Sequence, residues 1–128
     1  MRQHEQAMLL VKKAADDEAL LAEILLSSQV SDEIFGFHCQ QAAEKLLKAL
    51  LSQACIGFPR THNLRLLMDL LADSGQPLTT DLAELDILTP YGTLFRYEDL
   101  PAEVELDRET LFKLVTSLHE FVEKRLSS

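Results

Sequence analysis

The feature that most constrains the fold is a long apolar-periodic helix, predicted from Asp32 to about Cys55, joined to polar residues that core packing alone does not require. Phe35, Cys39, Ala42, Leu46 and Leu50 recur at three- and four-residue spacing, and Ala43 and Leu47 widen that stripe. Ser31 is placed to cap the helix by accepting a hydrogen bond from a free backbone N–H, and Asp32 and Glu33 put negative charge where the helix dipole favours it. Gly57, followed by Pro59, is a credible left-handed terminator. The opposite stripe, His38, Gln41, Lys45, Lys48 and Ser52, is expected to face solvent or a partner.

Other helices follow from the same periodicity. From about Gln3 to Leu26, the residues Met8, Val11, Ala15, Ala19, Ala22 and Leu26 form one narrow face rich in small side chains, suited to a close helix neighbour. Leu9, Leu20 and Ile24 lie on another side, with Lys13 between them. Thr61 or Asn63 starts a third helix whose Leu64, Leu66, Leu67, Leu70 and Leu71 predict extensive burial, and Gly75 stops it. A shorter helix from Thr80 to Leu88 is expected to end at Pro90, because the residue before a proline is pushed out of the helical region. Tyr91 to Leu106 lacks periodicity and reads as an extended connection. Asp107 then caps a last helix, reaching about Arg125, with Leu111, Leu114, Val115, Leu118, Phe121 and Val122 on its core face. The expected architecture is all-α: an up-and-down antiparallel four-helix bundle with an additional short helix, one domain over residues 1–128.

A chain of 128 residues with 47% hydrophobic content can bury a core of ordinary size. Its formal charge of −9, from 21 acidic and 12 basic residues, opposes simple binding to DNA or anionic membranes. Cys39 and Cys55 lie too far apart along one helix for a disulfide, as a reduced compartment allows. No signal peptide or membrane span is apparent, so a soluble, cytoplasmic protein is expected. The four histidines lack metal-ligand companions, and the common nucleotide-binding loops and hydrolase elbows are absent, so neither a metal nor a cofactor is expected.

Two groups of residues stand out as candidates for function. On the second helix, Lys45 and Lys48 present two charges to one partner, while Gln40 and Glu44, one turn apart, are placed to pair across a helix interface. Gln41 accompanies them on a face that can equally be a solvated surface. Arg60 and Arg65 flank the following turn and extend a small basic surface, with Thr61 and His62 between them. In the late connection, Arg96 sits beside Tyr97, Glu98 and Asp99, where its planar guanidinium can either clamp a phosphate or tie the loop to a carboxylate such as Glu44.

The stretches FHCQQAAEKLLKALL (Phe37 to Leu51), THNLRLLMDLL (Thr61 to Leu71) and RYED (Arg96 to Asp99) together resemble the HEPN family, named for higher eukaryotes and prokaryotes. That resemblance implies a helical bundle, commonly a homodimer, often paired with a small nucleotidyltransferase in toxin–antitoxin-like systems. It also implies nucleotide binding or metal-independent RNase activity. Its RNases resemble one another in an Arg followed four to six residues later by His. Here Leu100, Pro101 and Ala102 occupy those offsets after Arg96, so the catalytic histidine is missing. The expectation is therefore a nucleotide- or partner-binding module rather than an enzyme. Lys45, Lys48, Thr61, His62, Arg96 and Tyr97 are its candidate ligand contacts, and Gln40, Gln41, Glu44, Glu98 and Asp99 its structural or interface polar groups. An RNase with a variant site around Arg96 and a purely structural dimerisation module are the alternatives.

Overall fold

A computed structural model describes residues 2–93 and 106–127. Helix α1 spans Arg2–Ile24, α2 Asp32–Gln53, α3 Leu64–Asp73, α4 Thr89–Thr93 and α5 Arg108–Leu126, and a 3₁₀ segment, Thr80–Leu88, runs into α4. The described residues contain no strand. Helix α2 touches every other element and forms the centre of an all-α bundle. Helix α1 runs antiparallel to it, with His4 against Gln53 and Asp17 against His38, and antiparallel to α5, whose Arg108 reaches Ile24.

The core is aliphatic, as the composition predicts. Phe35, Leu46, Leu47, Leu50 and Leu51 of α2 are fully buried against Leu21 of α1, Leu64, Leu67 and Leu71 of α3, and Val115, Leu118 and Val122 of α5. Burying one such side chain contributes roughly 1.5–3 kcal/mol. An exposed pair such as Arg65–Asp69, at 3.8 Å, contributes about 0–1 kcal/mol, so the leucines hold the bundle together. Helix α3 is less buried than its composition suggests, since Leu66 remains 37% exposed.

The fourth element has the expected bounds but a tighter geometry. Leu82, Leu85 and Leu88 are all buried, and their spacing of three aligns them on one side of a helix with three residues per turn. Pro90 does not end the helical path. It lies in the first turn of α4, where a missing N–H is tolerated, so Tyr91, Gly92 and Thr93 are helical instead of opening the extended connection. A Cβ on Gly36 would stand 2.5 Å from the Tyr91 ring, so α4 approaches α2 at a distance that only glycine permits.

Helix α1 uses a different face from the one its apolar stripe suggests. Ala7, Val11, Ala14, Asp17, Leu21 and Ile24 are buried. Of the small-residue stripe, only Val11 points into the core, whereas Met8, Ala15, Ala19, Ala22 and Leu26 are exposed. The observed face follows a seven-residue rhythm of threes and fours, and the acidic residue within it, Asp17, disguises it.

The ends of the helices show how the chain turns. Ser31, Asn63 and Asp107 cap α2, α3 and α5 by accepting hydrogen bonds from the backbone N–H groups of Ile34, Leu66 and Thr110. Helix α2 ends at Cys55 (φ 59°), where Gly57 was the expected terminator. The Ile56 N–H donates to the Leu51 carbonyl and the Cys55 N–H to that of Ser52, the double closure of a Schellman motif. Gly75 (φ 78°) closes α3 in the same way, as expected. A left-handed cysteine is strained where glycine is not. Cys55→Gly should therefore stabilise the protein by about 0.5–1 kcal/mol, measured by urea denaturation.

Two side chains on α5 secure α1. Arg108 donates to the carbonyls of Ile24, Ser27 and Val30, satisfying acceptors at the end of α1, and pairs with Asp32 at 2.8 Å. His119 bridges Glu18, at 2.5 Å, and Glu123, at 2.7 Å. Burial pulls its pKa down, but hydrogen bonds and charge from the two glutamates outweigh that and raise it above the ordinary 6.5. Burial pushes the Glu18 carboxyl above its ordinary 4.5. The His119 contribution is complete below pH 6.5 and is lost as pH rises through the raised value. Thermal melts above pH 6.5 should show stability falling in the native protein, with a flatter dependence in His119→Gln.

Candidate functional site

Two carboxylates organise the polar side of α2. Asp17 enters from α1 and receives Lys45 Nζ at 2.6 Å and His38 Nδ1 at 2.9 Å. His38 and Lys45 lie two helical turns apart on α2, so one carboxylate spans between them and fastens α1 to α2. Glu44 lies within α2. Its Oε1 accepts from Gln40 Nε2 at 3.0 Å and His62 Nδ1 at 2.8 Å, and its Oε2 from Lys48 Nζ at 2.9 Å.

The Gln40 amide is satisfied at both ends. Its Nε2 also donates to the His62 carbonyl at 2.9 Å, and its Oε1 accepts from Gln41 at 2.9 Å. A Cβ on Gly92 would stand 2.2 Å from the Gln40 amide carbon, so α4 closes over this buried glutamine through a glycine. Lys48 lies 5.7 Å from the Phe58 ring centroid, within cation–π range. No buried side-chain nitrogen or oxygen lacks a hydrogen-bond partner among the described residues.

Burial disfavours the Glu44 carboxylate, but hydrogen bonds from Gln40, Lys48 and His62 and the Lys48 charge outweigh it. Its pKa therefore falls below the ordinary 4.5, and the group is an anion near neutral pH. Each lysine ammonium has three donors and spends one on its carboxylate, which leaves two for an anion. With Nδ1 of His62 donating to Glu44, its Nε2 can accept a proton, and this imidazole is 53% exposed. The arrangement can thus present oriented cationic donors and one oriented imidazole to an anionic ligand.

The predicted residues distribute unevenly. Gln40, Gln41, Glu44, Lys48 and His62 form one connected network, and Lys45 joins Asp17 beside it. The pairing of Gln40 with Glu44 runs along α2 and down to the turn before α3, not across a helix interface. The stripe expected to face solvent or a partner is turned largely to carboxylates of the same chain, and Ser52 is buried. Thr61 accepts from the Asn63 N–H at 3.0 Å and shapes the start of α3. Arg65 bonds Asp86 and the Ala83 carbonyl, tying α3 to the 3₁₀ segment, while Arg60 is exposed. Arg96, Tyr97, Glu98 and Asp99 lie outside the described residues. Asp17 carries no motif in the sequence. Its one signal is its position in the buried rhythm of α1.

A central helix with a carboxylate-anchored polar side, closed by a short glycine-bearing helix, defines an all-helical domain. No group of three or more His, Cys, Asp or Glu among the described residues is placed to hold a metal ion. No described helix is long and apolar enough to cross a membrane. The HEPN domain family matches residues 8–125, nearly the whole chain, and the protein belongs to that family. No curated protein and no solved structure matches it.

Removing the charge of Glu44 strands Lys48 and weakens the hold on His62. Glu44→Gln should cost about 2–3 kcal/mol in urea denaturation at pH 7. The wild-type contribution is present above pH 4.5 and is lost as pH falls through the lowered folded value. The difference between the two proteins should therefore shrink on acidification.

Proposed function

We propose that this HEPN protein is a nucleotide- or partner-binding module, acting as a cytoplasmic homodimer with a small nucleotidyltransferase in a toxin–antitoxin-like pair. The observation that carries this reading is the fixed presentation of Lys45 and Lys48. Each is held by a carboxylate, at 2.6 Å and 2.9 Å, yet retains donors for a phosphate. Holding them in advance lowers the side-chain entropy lost on binding. His62 shares the Glu44 carboxylate with Lys48, Arg60 and Thr61 immediately precede His62 in the chain, and Arg96 and Tyr97 supply the remaining contacts in this proposal. Gln40, Gln41 and Glu44 serve as its framework, and Glu98 and Asp99 as interface polar groups.

Calorimetric titration with ATP should give binding that falls at least tenfold in both Arg96→Ala and Arg60→Ala. Co-expression with the proposed nucleotidyltransferase should give a complex weakened by Arg96→Ala. No nucleotide binding, together with unchanged partner association, would sink the reading. One observation favours RNase activity as the second reading: Glu44 orients the half-exposed His62 imidazole, the geometry a proton acceptor needs. RNA cleavage lost in Arg96→Ala would support that alternative, and no cleavage would eliminate it.

A further inference from the structure

Lysine, carboxylate and imidazole occur together twice along the partly exposed stripe of α2, in the same arrangement. Glu44 receives Lys48 Nζ on Oε2 and His62 Nδ1 on Oε1. Asp17 receives Lys45 Nζ on Oδ2 and His38 Nδ1 on Oδ1. In each unit the ammonium and the ring bond the two oxygens of one carboxylate, so they stand side by side. Lys45, Lys48 and His62 are contacts of the site proposed above. His38 has so far only its hold on Asp17.

The His38 ring has a second nitrogen to offer. Its Nδ1 is spent on buried Asp17, and the Phe37 ring packs against it at 84° with centroids 5.2 Å apart, so its orientation is fixed. No described residue bonds its Nε2. Every buried side-chain nitrogen among the described residues has a partner, so an unpaired Nε2 is one that reaches the surface, on a side chain 25% exposed. With Nδ1 donating its hydrogen to the carboxylate, Nε2 of the neutral ring carries a lone pair and accepts.

We infer that His38 is a specificity-determining contact of the nucleotide site, its Nε2 accepting a hydrogen bond from a ribose hydroxyl while Lys45 beside it holds a phosphate oxygen. This rests on the nucleotide-binding reading above and names the part of the ligand that the lysines do not read. An ammonium offers donors only, so it takes phosphate of any kind. An acceptor fixed next to it adds the requirement that the anion carry a donor close by. The ribose adjoins the phosphates of a nucleotide and the base lies beyond it, which is why the hydroxyl is assigned. The ring is held by Asp17 before any ligand arrives, so little side-chain freedom is lost in making the bond. A ligand without the hydroxyl leaves that acceptor unpaired, and discrimination arises from the difference.

The test is calorimetric titration of the full chain with ATP, with dideoxy-ATP, which keeps the base and phosphates and lacks both ribose hydroxyls, and with tripolyphosphate. The unaltered protein should bind ATP about tenfold more tightly than dideoxy-ATP. His38→Asn keeps a side-chain N–H near the place of Nδ1 for Asp17 and removes Nε2. In that variant ATP affinity should fall to that of dideoxy-ATP, while tripolyphosphate affinity and the urea midpoint stay unchanged. Equal affinity of the unaltered protein for the two nucleotides, a comparison that needs no variant, would overturn the assignment and leave nucleotide binding standing. An ATP preference that survives in His38→Asn would also overturn it, as would a matching loss of tripolyphosphate affinity, since the ring would then act on the phosphate or merely steady Lys45. Binding of none of the three would remove the nucleotide-binding reading and this inference with it.

Discussion

Helix α2 packs against every other element and buries most of its residues, and the rest of the structure answers that constraint. The polar residues that such a helix buries cannot reach water, so the chain itself must satisfy them. Leucines and alanines cover most of its circumference. Gln40, Glu44 and Ser52 do not, and they are buried all the same. The solution is local and economical: Gln40, Glu44 and Lys48 lie along one helical row, so hydrogen bonds at one-turn spacing satisfy most of them. The backbone of the turn before α3 and the side chain of His62 complete the set.

Asp17 and Glu44 divide the work of joining elements to α2. Asp17 links it to α1 through Lys45 and His38, and Glu44 links it to the start of α3 through His62. Such pairs add less stability than the leucines beneath them, because desolvation offsets much of their attraction. Their effect is specificity of position. A lysine on a surface helix samples many rotamers, whereas Lys45 and Lys48 are held by carboxylates that the core fixes in place. The oriented cationic surface thus arises from the need to neutralise buried acids.

Much of this was legible in the sequence. The bounds of α2, its Ser31 cap, the Asp107 cap and the Gly75 stop follow from local chemistry that the fold does not override, and of the two candidates to start α3, Thr61 and Asn63, the cap is Asn63. What was not legible depends on tertiary partners. The apolar stripe Met8 to Leu26 is a cleaner helical pattern than the buried one, because the buried one contains Asp17, whose burial makes sense only once Lys45 and His38 are opposite it. Cys55 ends α2 in a conformation that favours glycine, and Gly57 two residues later offers the more obvious signal. Pro90 reads as a terminator because sequence alone does not show that a new helical turn begins at Thr89. The polar set on α2 was visible as residues, yet its direction, inward to carboxylates, required α1 and the turn at His62.

The inward pairing changes what kind of ligand this face can take. Asp17 and Glu44 balance the charges of Lys45 and Lys48, so the cluster offers little net attraction at a distance, and a chain of net charge −9 offers none. Binding there must depend on short-range donor geometry, with any excess positive charge brought by arginines outside the cluster. Arg65 is already committed to Asp86, which leaves Arg60 at this end of α2. A small anion able to use several converging donors at once suits such a face. A long polyanion, which gains affinity from accumulated charge along its length, finds little here to hold it.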